Sequence, residues 1–310
     1  MKKIFLCTAM VFVMVFNSIT MNVSAESGNL NLPSYVTKID GLYFIVDSYN
    51  NRIIYHDTLG APIREWQVMV SGLGLPHTMA SDGVVYLIDD TENHRVLVMV
   101  KRYFLGKPYF VKTKEFENIG NRPHYVVYHE PSATFYVWSS YTGEMYLFKR
   151  TGDGRSVHLV EVRNVPPLMG GVYVRSFTII DDKIYFVSGN MSIIKADMRT
   201  FRVLETYPVP ADISGMVQMT KIEDYFYITV AADVHGNQDF ATIIRTENLS
   251  SLAEGDYEDI YSHFGGGGGT PYNMTNIDGL WYLTDHRVPG RNIFSFSING
   301  NEIQNVKQVY

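Results

Sequence analysis

The chain has 310 residues, a formal net charge of −6 and one cysteine. With 46% hydrophobic and 19% charged residues it has globular composition, which excludes a disordered, collagen-like or disulfide-stapled chain. The acidic balance argues against a nucleic-acid partner. An aromatic content of 14%, mostly 22 tyrosines and 17 phenylalanines, favours strands over helices.

The first element in chain order is an export segment. Lys2 and Lys3 precede an apolar stretch over residues 4–16 and a polar run ending Val23-Ser24-Ala25. Charged start, short apolar run and small-residue end are the parts of a secretory signal peptide, with cleavage expected after Ala25. The stretch is too short for a comfortable transmembrane span, and no later segment approaches one. The exported form is then residues 26–310, an extracellular chain with no integral membrane segment. Its charge becomes −8, and Cys7 is lost with the leader. Stability must come from core packing, and thiol chemistry is excluded.

The rest of the chain repeats. Leu42-Tyr43-Phe44-Ile45-Val46-Asp47 recurs at residues 84–89, 134–139, 183–188, 225–230 and 280–285, at intervals of roughly 40 to 55 residues, the period range of propeller blades. Each copy has strand length. Asp40-Gly41, Asp82-Gly83, Asp181-Asp182, Glu223-Asp224 and Asp278-Gly279 precede five copies as turn signals, and a two-residue Asp-Gly connection reads as a tight hairpin. A preceding strand is expected at residues 33–38, 76–81, 123–129, 173–180, 215–222 and 271–277, a third run follows each copy, and a weaker fourth strand completes the unit. The expected fold is all-β: one six-bladed β-propeller of four-stranded antiparallel blades filling residues 26–310. The chain enters on a first strand and ends on a fourth. Ring closure therefore needs no exchanged strand, and residues 26–32 are expected to bridge the seam.

Asp47 with Arg52, and Asp89 with Arg95, are placed to pair across hairpins and pin the second and third strands. The run Leu75-Pro76-His77, Asp82-Gly83, Tyr86-Leu87-Ile88-Asp89, Asn93-His94-Arg95-Val96 resembles the NHL-repeat group of six-bladed propellers, and the first blade matches it at Asp40-Gly41, Asp47 and Asn51-Arg52-Ile53. The whole chain is also similar to uncharacterised exported proteins of Gram-positive bacteria.

In such a ring the first residues of each innermost strand stand at one mouth of the central channel. Counting back nine positions from the central aromatic residue gives Tyr35, His77, Ser176, Gln218 and Asn273. Blade 3, whose hairpin is counted as three residues longer, supplies His124. All six are polar, and Arg175 lies beside them. Polar side chains converging on an axis from rigid strands suit a small or peptide-like ligand. Leu75-Pro76-His77 and Arg122-Pro123-His124 are similar to the Pro-His pairs that carry the zinc ligands of peptidyl-hydroxyglycine amidating lyases. That family draws its ligands from alternate blades, whereas His77 and His124 are in adjacent ones, so no three-histidine zinc site is expected; any metal would fall to His77 and His124. The sequence therefore specifies no cofactor. The five-glycine run 265–269 precedes a strand, not a helix, and reads as a connector or lid, not a phosphate cradle.

No Gly-x-Ser-x-Gly elbow, His-Glu-x-x-His, Walker or dinucleotide sequence occurs. The leading expectation is a monomeric exported propeller that binds a small or peptide-like ligand at the polar mouth. The alternatives are a lyase or hydrolase using His77 and His124, with Arg175 as anion partner, and a protein-interaction platform using exposed aromatic rims.

Overall fold

A computed structural model describes residues 28–265, 268–288 and 290–310. The export segment, and Gly266 and Gly267 of the glycine run, lie outside the described residues. Six four-stranded antiparallel sheets follow one another along the chain, each with its strands in sequence order, so blade 1 and blade 6 each close on themselves without exchange. The innermost strands are Pro33–Ile39, Met79–Ser81, Pro123–His129, Val174–Ile180, Met216–Ile222 and Thr270–Ile277. The second strands are Leu42–Asp47, Val85–Asp90, Thr134–Ser139, Lys183–Ser188, Tyr225–Val230 and Leu280–His286.

The repeated aromatic and β-branched runs form these second strands because both of their faces pack against neighbouring blades. The core is divided accordingly into layers between consecutive blades. Trp138, Phe177 and Phe186 fill the layer between blades 3 and 4, and Trp66, Ile45 and Tyr282 fill the closing layer between blades 1 and 6. Fully burying side chains of this size stabilises the fold by about 2–3 kcal/mol each.

The seam is held by the chain ends. The Tyr310 hydroxyl accepts from Gly60 N and donates to Ala61 O, both at 2.8 Å, while its ring meets Trp66 edge-on. On the entering side Asn31 N donates to Asp47 at 2.7 Å, and Leu30 packs beside Val309 and Tyr310.

Blades 1 and 6 use the expected tight turns. Asp40-Gly41 and Asp278-Gly279 have φ of 49°/79° and 53°/87°, and both connect directly paired residues. Blade 2 differs. Ser81 pairs with Tyr86, and Asp82 caps the loop by accepting from Val84 N and Val85 N. Asp82-Gly83 therefore lies one position earlier than Asp40-Gly41, and every expected equivalence in blade 2 shifts by one. Blade 3 differs too: His129 pairs with Thr134 across four residues, so its hairpin is longer by two, not three.

Candidate functional site at the channel mouth

Five of the six innermost strands enter their sheets through an irregularity. Pro33 pairs with Asp47 but Tyr35 pairs with Val46, leaving Ser34 as a bulge, and the same interruption falls at His124, Arg175, Val217 and Tyr272. In blade 2, Met79 pairs with Ile88, which makes Thr78 the equivalent of Tyr35 and His77 the equivalent of Ser34. Two rings result. The bulge ring is Ser34, His77, His124, Arg175, Val217 and Tyr272. One residue deeper lie Tyr35, Thr78, Tyr125, Ser176, Gln218 and Asn273.

The single polar ring expected from the sequence is thus drawn from both levels. Tyr35, Ser176, Gln218 and Asn273 belong to the deeper ring, while His77, His124 and Arg175 stand at the bulges. The sequence count missed Thr78 and Tyr125 of the deeper ring, and Tyr272 at the mouth.

The deeper ring is a hub of hydrogen bonds. Innermost strands of adjacent blades do not pair through their backbones, so buried carbonyl and amide groups there must find side-chain partners. Ser34 donates to His77 O at 2.7 Å, and Thr78 accepts from Val126 N at 2.8 Å. Trp138 Nε1 donates to Val174 O at 3.1 Å, Ser176 donates to Val217 O at 2.6 Å, and Thr284 donates to Ser34 O at 3.0 Å. Gln218 imitates a strand rung, accepting from Met274 N at 2.8 Å and donating to Met274 O at 3.1 Å. Tyr125 then crosses the axis, its hydroxyl 3.1 Å from Asn273 Nδ2 and 3.5 Å from Gln218 Nε2. Burial raises the Tyr125 and Tyr35 phenols, so both remain neutral, and the Tyr125 hydroxyl accepts from the two amides.

Above this plug the side chains stack. The rings of His77 and His124 lie 3.8 Å apart, centroid to centroid, inclined by 25°. Tyr272 continues the stack from His77 at 5.8 Å and from His286 at 4.4 Å. Blade 1, which separates blades 2 and 6, contributes only Ser34 at this level, and that small residue lets Tyr272 reach His77. Tyr173 meets His124 edge-on at 6.0 Å and stacks on Tyr141 at 4.7 Å. The guanidinium of Arg175 lies 4.9 Å from the Tyr173 ring, and that of Arg122 lies 6.0 Å from it.

The histidines are held neutral. Burial first, then the nearby Arg175 and Arg122 charges, push His124 down to about 3, against weaker opposition from the carbonyls of Arg175 and His124 itself. Burial takes His286 down to about 4, with its ring bonded to Pro33 O at 3.0 Å. His77 is also lowered, by burial, His124, His286 and the two arginines. The Thr91 hydroxyl donates to Pro123 O at 2.8 Å, so Nδ1 of His77 donates to Thr91 at 3.0 Å and Nε2 keeps a free lone pair. In His124, Nε2 lies 3.3 and 3.4 Å from the hydroxyls of Tyr173 and Tyr272, while buried Nδ1 makes no well-formed hydrogen bond.

Asp89 anchors this arrangement. It does not pair with Arg95, as expected from the sequence; Asp90 does, at 2.6 Å, just as Asp47 pairs with Arg52 at 2.8 Å. The one-residue slip in blade 2 frees Asp89 to accept from His77 N at 2.6 Å and from Thr78 N and Oγ1 at 2.8 and 2.6 Å. These bonds replace the strand ladder before Met79, which is why the innermost strand of blade 2 is short. Burial pushes the Asp89 carboxyl well up, and the three donors only partly offset it.

The mouth's fixed cations are Arg122 and Arg175. Arg122 pairs with Glu92 at 2.6 Å through Nη2, and its buried Nε has no hydrogen-bond partner. Arg175 uses Nη1 on the carbonyls of Gly215 and Met216 at 3.3 and 3.4 Å. Position 215 must be glycine, because a Cβ there would collide with the Ala232 carbonyl. Arg287 is engaged elsewhere, on Gln238 and Gly269 O. Among the described residues no group of three or more histidine, aspartate, glutamate or cysteine side chains is placed to hold a metal ion. The near-parallel rings of His77 and His124 also direct their in-plane lone pairs along separate planes, not towards a common ion.

No protein-family model matches the chain, and no curated protein matches it either. Solved structures share its fold. A candidate 6-phosphogluconolactonase from Bacteroides uniformis is 12% identical with a TM-score of 0.64, covering 90% of this chain and 85% of that one. A second from Bacteroides fragilis is 11% identical with a TM-score of 0.63, covering 89% and 84%. The WD40 propeller domain of Doa1 is 12% identical with a TM-score of 0.57, covering 93% and 86%. At these identities the likeness is one of architecture, that of a β-propeller, and the six sheets of this chain give the number of blades.

Proposed function

We propose that the protein is an exported, monomeric propeller of NHL-repeat-like type that binds a small or peptide-like ligand carrying a carboxylate and a flat ring. The observation that supports this reading is the uncharged stack His124, His77, Tyr272 and His286, flanked by the guanidinium groups of Arg175 and Arg122. Neutral rings offer stacking surface and hydrogen bonds, and the guanidinium groups supply the charge that a carboxylate seeks. The deeper ring closes the floor with tyrosine and amide groups.

A lyase or hydrolase at the same mouth is the alternative reading. An imidazole with its pKa near 3 is a poor proton acceptor at neutral pH, so the depressed basicity of His124 favours a binding role over proton transfer. Titration calorimetry with benzoate, indole-3-acetate and short peptides with free carboxyl termini, each against its neutral amide, tests the proposal. Tighter binding of the carboxylates than of their amides, and weaker binding of both in His77→Ala/His124→Ala, are expected; equal response to acids and amides refutes it. Export is tested separately by sequencing the secreted protein, whose first residue should be Glu26.

A further inference from the structure

The third and fourth strands of blade 2 are longer than their counterparts. Arg95–Phe104 and Lys107–Phe116 have ten residues each, whereas blade 1 uses five in Arg52–His56 and five in Gln67–Ser71. The hairpin base is anchored: Phe110 packs edge-on against Phe44, Tyr55 and Tyr86, and Tyr55 donates to Pro108 O at 2.9 Å. Its end is not. Tyr103, Phe104 and Leu105 are 64%, 54% and 88% exposed.

This tip contradicts local folding preferences. Leu105-Gly106 is a two-residue turn with φ of 49° and 78°, closed by the pair Phe104 and Lys107. Blades 1 and 6 place Asp40 and Asp278 at the first position of the same turn, in keeping with the left-handed backbone there. Leucine at that position is strained and solvent-facing, which points to selection for something outside the fold.

Register shows what shape the tip presents. Alternate residues face opposite ways, so Phe104 points to one face, Tyr103 to the other, and Leu105 forms the apex. A flat protein surface would cover one face; a fluid apolar medium surrounds all three. Behind the apex stand exposed Lys107, paired with Phe104 on the rung that closes the turn, and exposed Arg102, paired with Tyr109 two rungs further back. Residues 101–114 contain Lys101, Arg102, Lys107, Lys112 and Lys114 and no acid, in a chain whose net charge is negative. Lys101 is occupied by Asp40 and Lys112 by Glu115. Lysines on an edge strand also discourage strand addition, but that role does not account for the apolar tip.

We infer that the blade 2 hairpin is a membrane-surface anchor, inserting Tyr103, Phe104 and Leu105 at the interface of an anionic bilayer while Arg102 and Lys107 meet lipid phosphates. The connection between third and fourth strands lies on the face of the ring opposite the bulge residues. A propeller docked this way keeps its channel mouth open to solvent.

The test uses residues 26–310, which carry every strand of the propeller and lack the apolar stretch 4–16, in flotation assays on phosphatidylcholine vesicles with and without phosphatidylglycerol. Expected are binding that needs phosphatidylglycerol, loss of at least about tenfold in partitioning for Leu105→Asn, and a similar loss for Arg102→Gln/Lys107→Gln. Asparagine suits the turn, so Leu105→Asn should melt at or above the wild-type temperature, and lost binding cannot then be ascribed to unfolding. Equal partitioning of wild type and Leu105→Asn, or no binding of wild type to phosphatidylglycerol vesicles, overturns the inference. So does retention on a protein, dependent on Leu105, by a chain that ignores the vesicles.

Discussion

The bulge ring, Val217 apart, and the ring one residue deeper are both polar, yet their polar atoms do different things. In the deeper ring Thr78, Ser176, Gln218 and Asn273 spend their donors and acceptors on a neighbouring blade, on Tyr125, or on Asp89 and Thr275 of their own blades. In the bulge ring His77 keeps a ring nitrogen free, His124 Nδ1 is without a well-formed bond, and Arg175 commits only Nη1. Polarity at a propeller hub is therefore required first by the backbone of the next blade. A binding surface is marked by donors left over after that requirement has been met.

The largest test of this division is acidification. His124 has a folded pKa near 3, below the usual 6.5, so the unfolded chain takes up the proton first. Its contribution to stability is complete above pH 6.5 and is lost as pH falls towards 3. In His124→Gln that loss is absent, so the stability gap between wild type and variant should shift by roughly 3 kcal/mol between pH 7 and pH 4, in favour of the variant. Asp285 should behave oppositely. Burial raises it to about 6 despite the Tyr261 hydroxyl, so wild type gains relative to Asp285→Asn as pH falls through 6. Urea melts at several pH values measure both, and gaps that do not move with pH would show that these groups are not held as described.

Next in size is Gln218→Ala, which strips Met274 N and O of their partners inside the hub. A loss of about 2–3 kcal/mol is expected, read as a drop of several degrees in Tm. Asp89→Asn should cost about 1–2 kcal/mol, since an amide offers one acceptor oxygen to three donors. It should also displace the His77 ring resonances, which Asp90→Asn should leave in place.

The blades were legible in the sequence because a buried strand must repeat its apolar run wherever it is sandwiched, and six such runs leave little freedom in topology. Register was less legible. Asp82-Gly83 looks like the turn of blade 1, but Asp82 caps a loop with its side chain, an interaction that two letters do not reveal. From that single slip followed the pairing of Arg95 with Asp89 instead of Asp90, and the placement of His77 in the deeper ring. In blade 3 the four residues 130–133 were counted as three extra when they are two, which hid Tyr125. His286 lay within view as the last residue of the sixth second strand, but the stack that Tyr272 carries from it on to His77 depends on how small Ser34 is in the blade between them. The contact of Tyr272 with His77 joins residues from non-adjacent blades far apart in the chain, and no spacing rule reaches it.

The smallest effect on stability, and the sharpest on the division between the rings, belongs to Arg175→Gln. Arg175 gives up two long bonds to Gly215 O and Met216 O and its stacking on Tyr173, all half-exposed, and glutamine can still reach a carbonyl. Its Tm should stay within about a degree of wild type, a change of less than about 0.5 kcal/mol. Its affinity for benzoate and indole-3-acetate should fall about tenfold while the amides bind as before, because a charge-assisted bond is removed and nothing else at the mouth moves. If instead Arg175→Gln melts as early as Gln218→Ala, then the guanidinium is one more stitch between blades 4 and 5, and the bulge ring differs from the deeper one in depth alone.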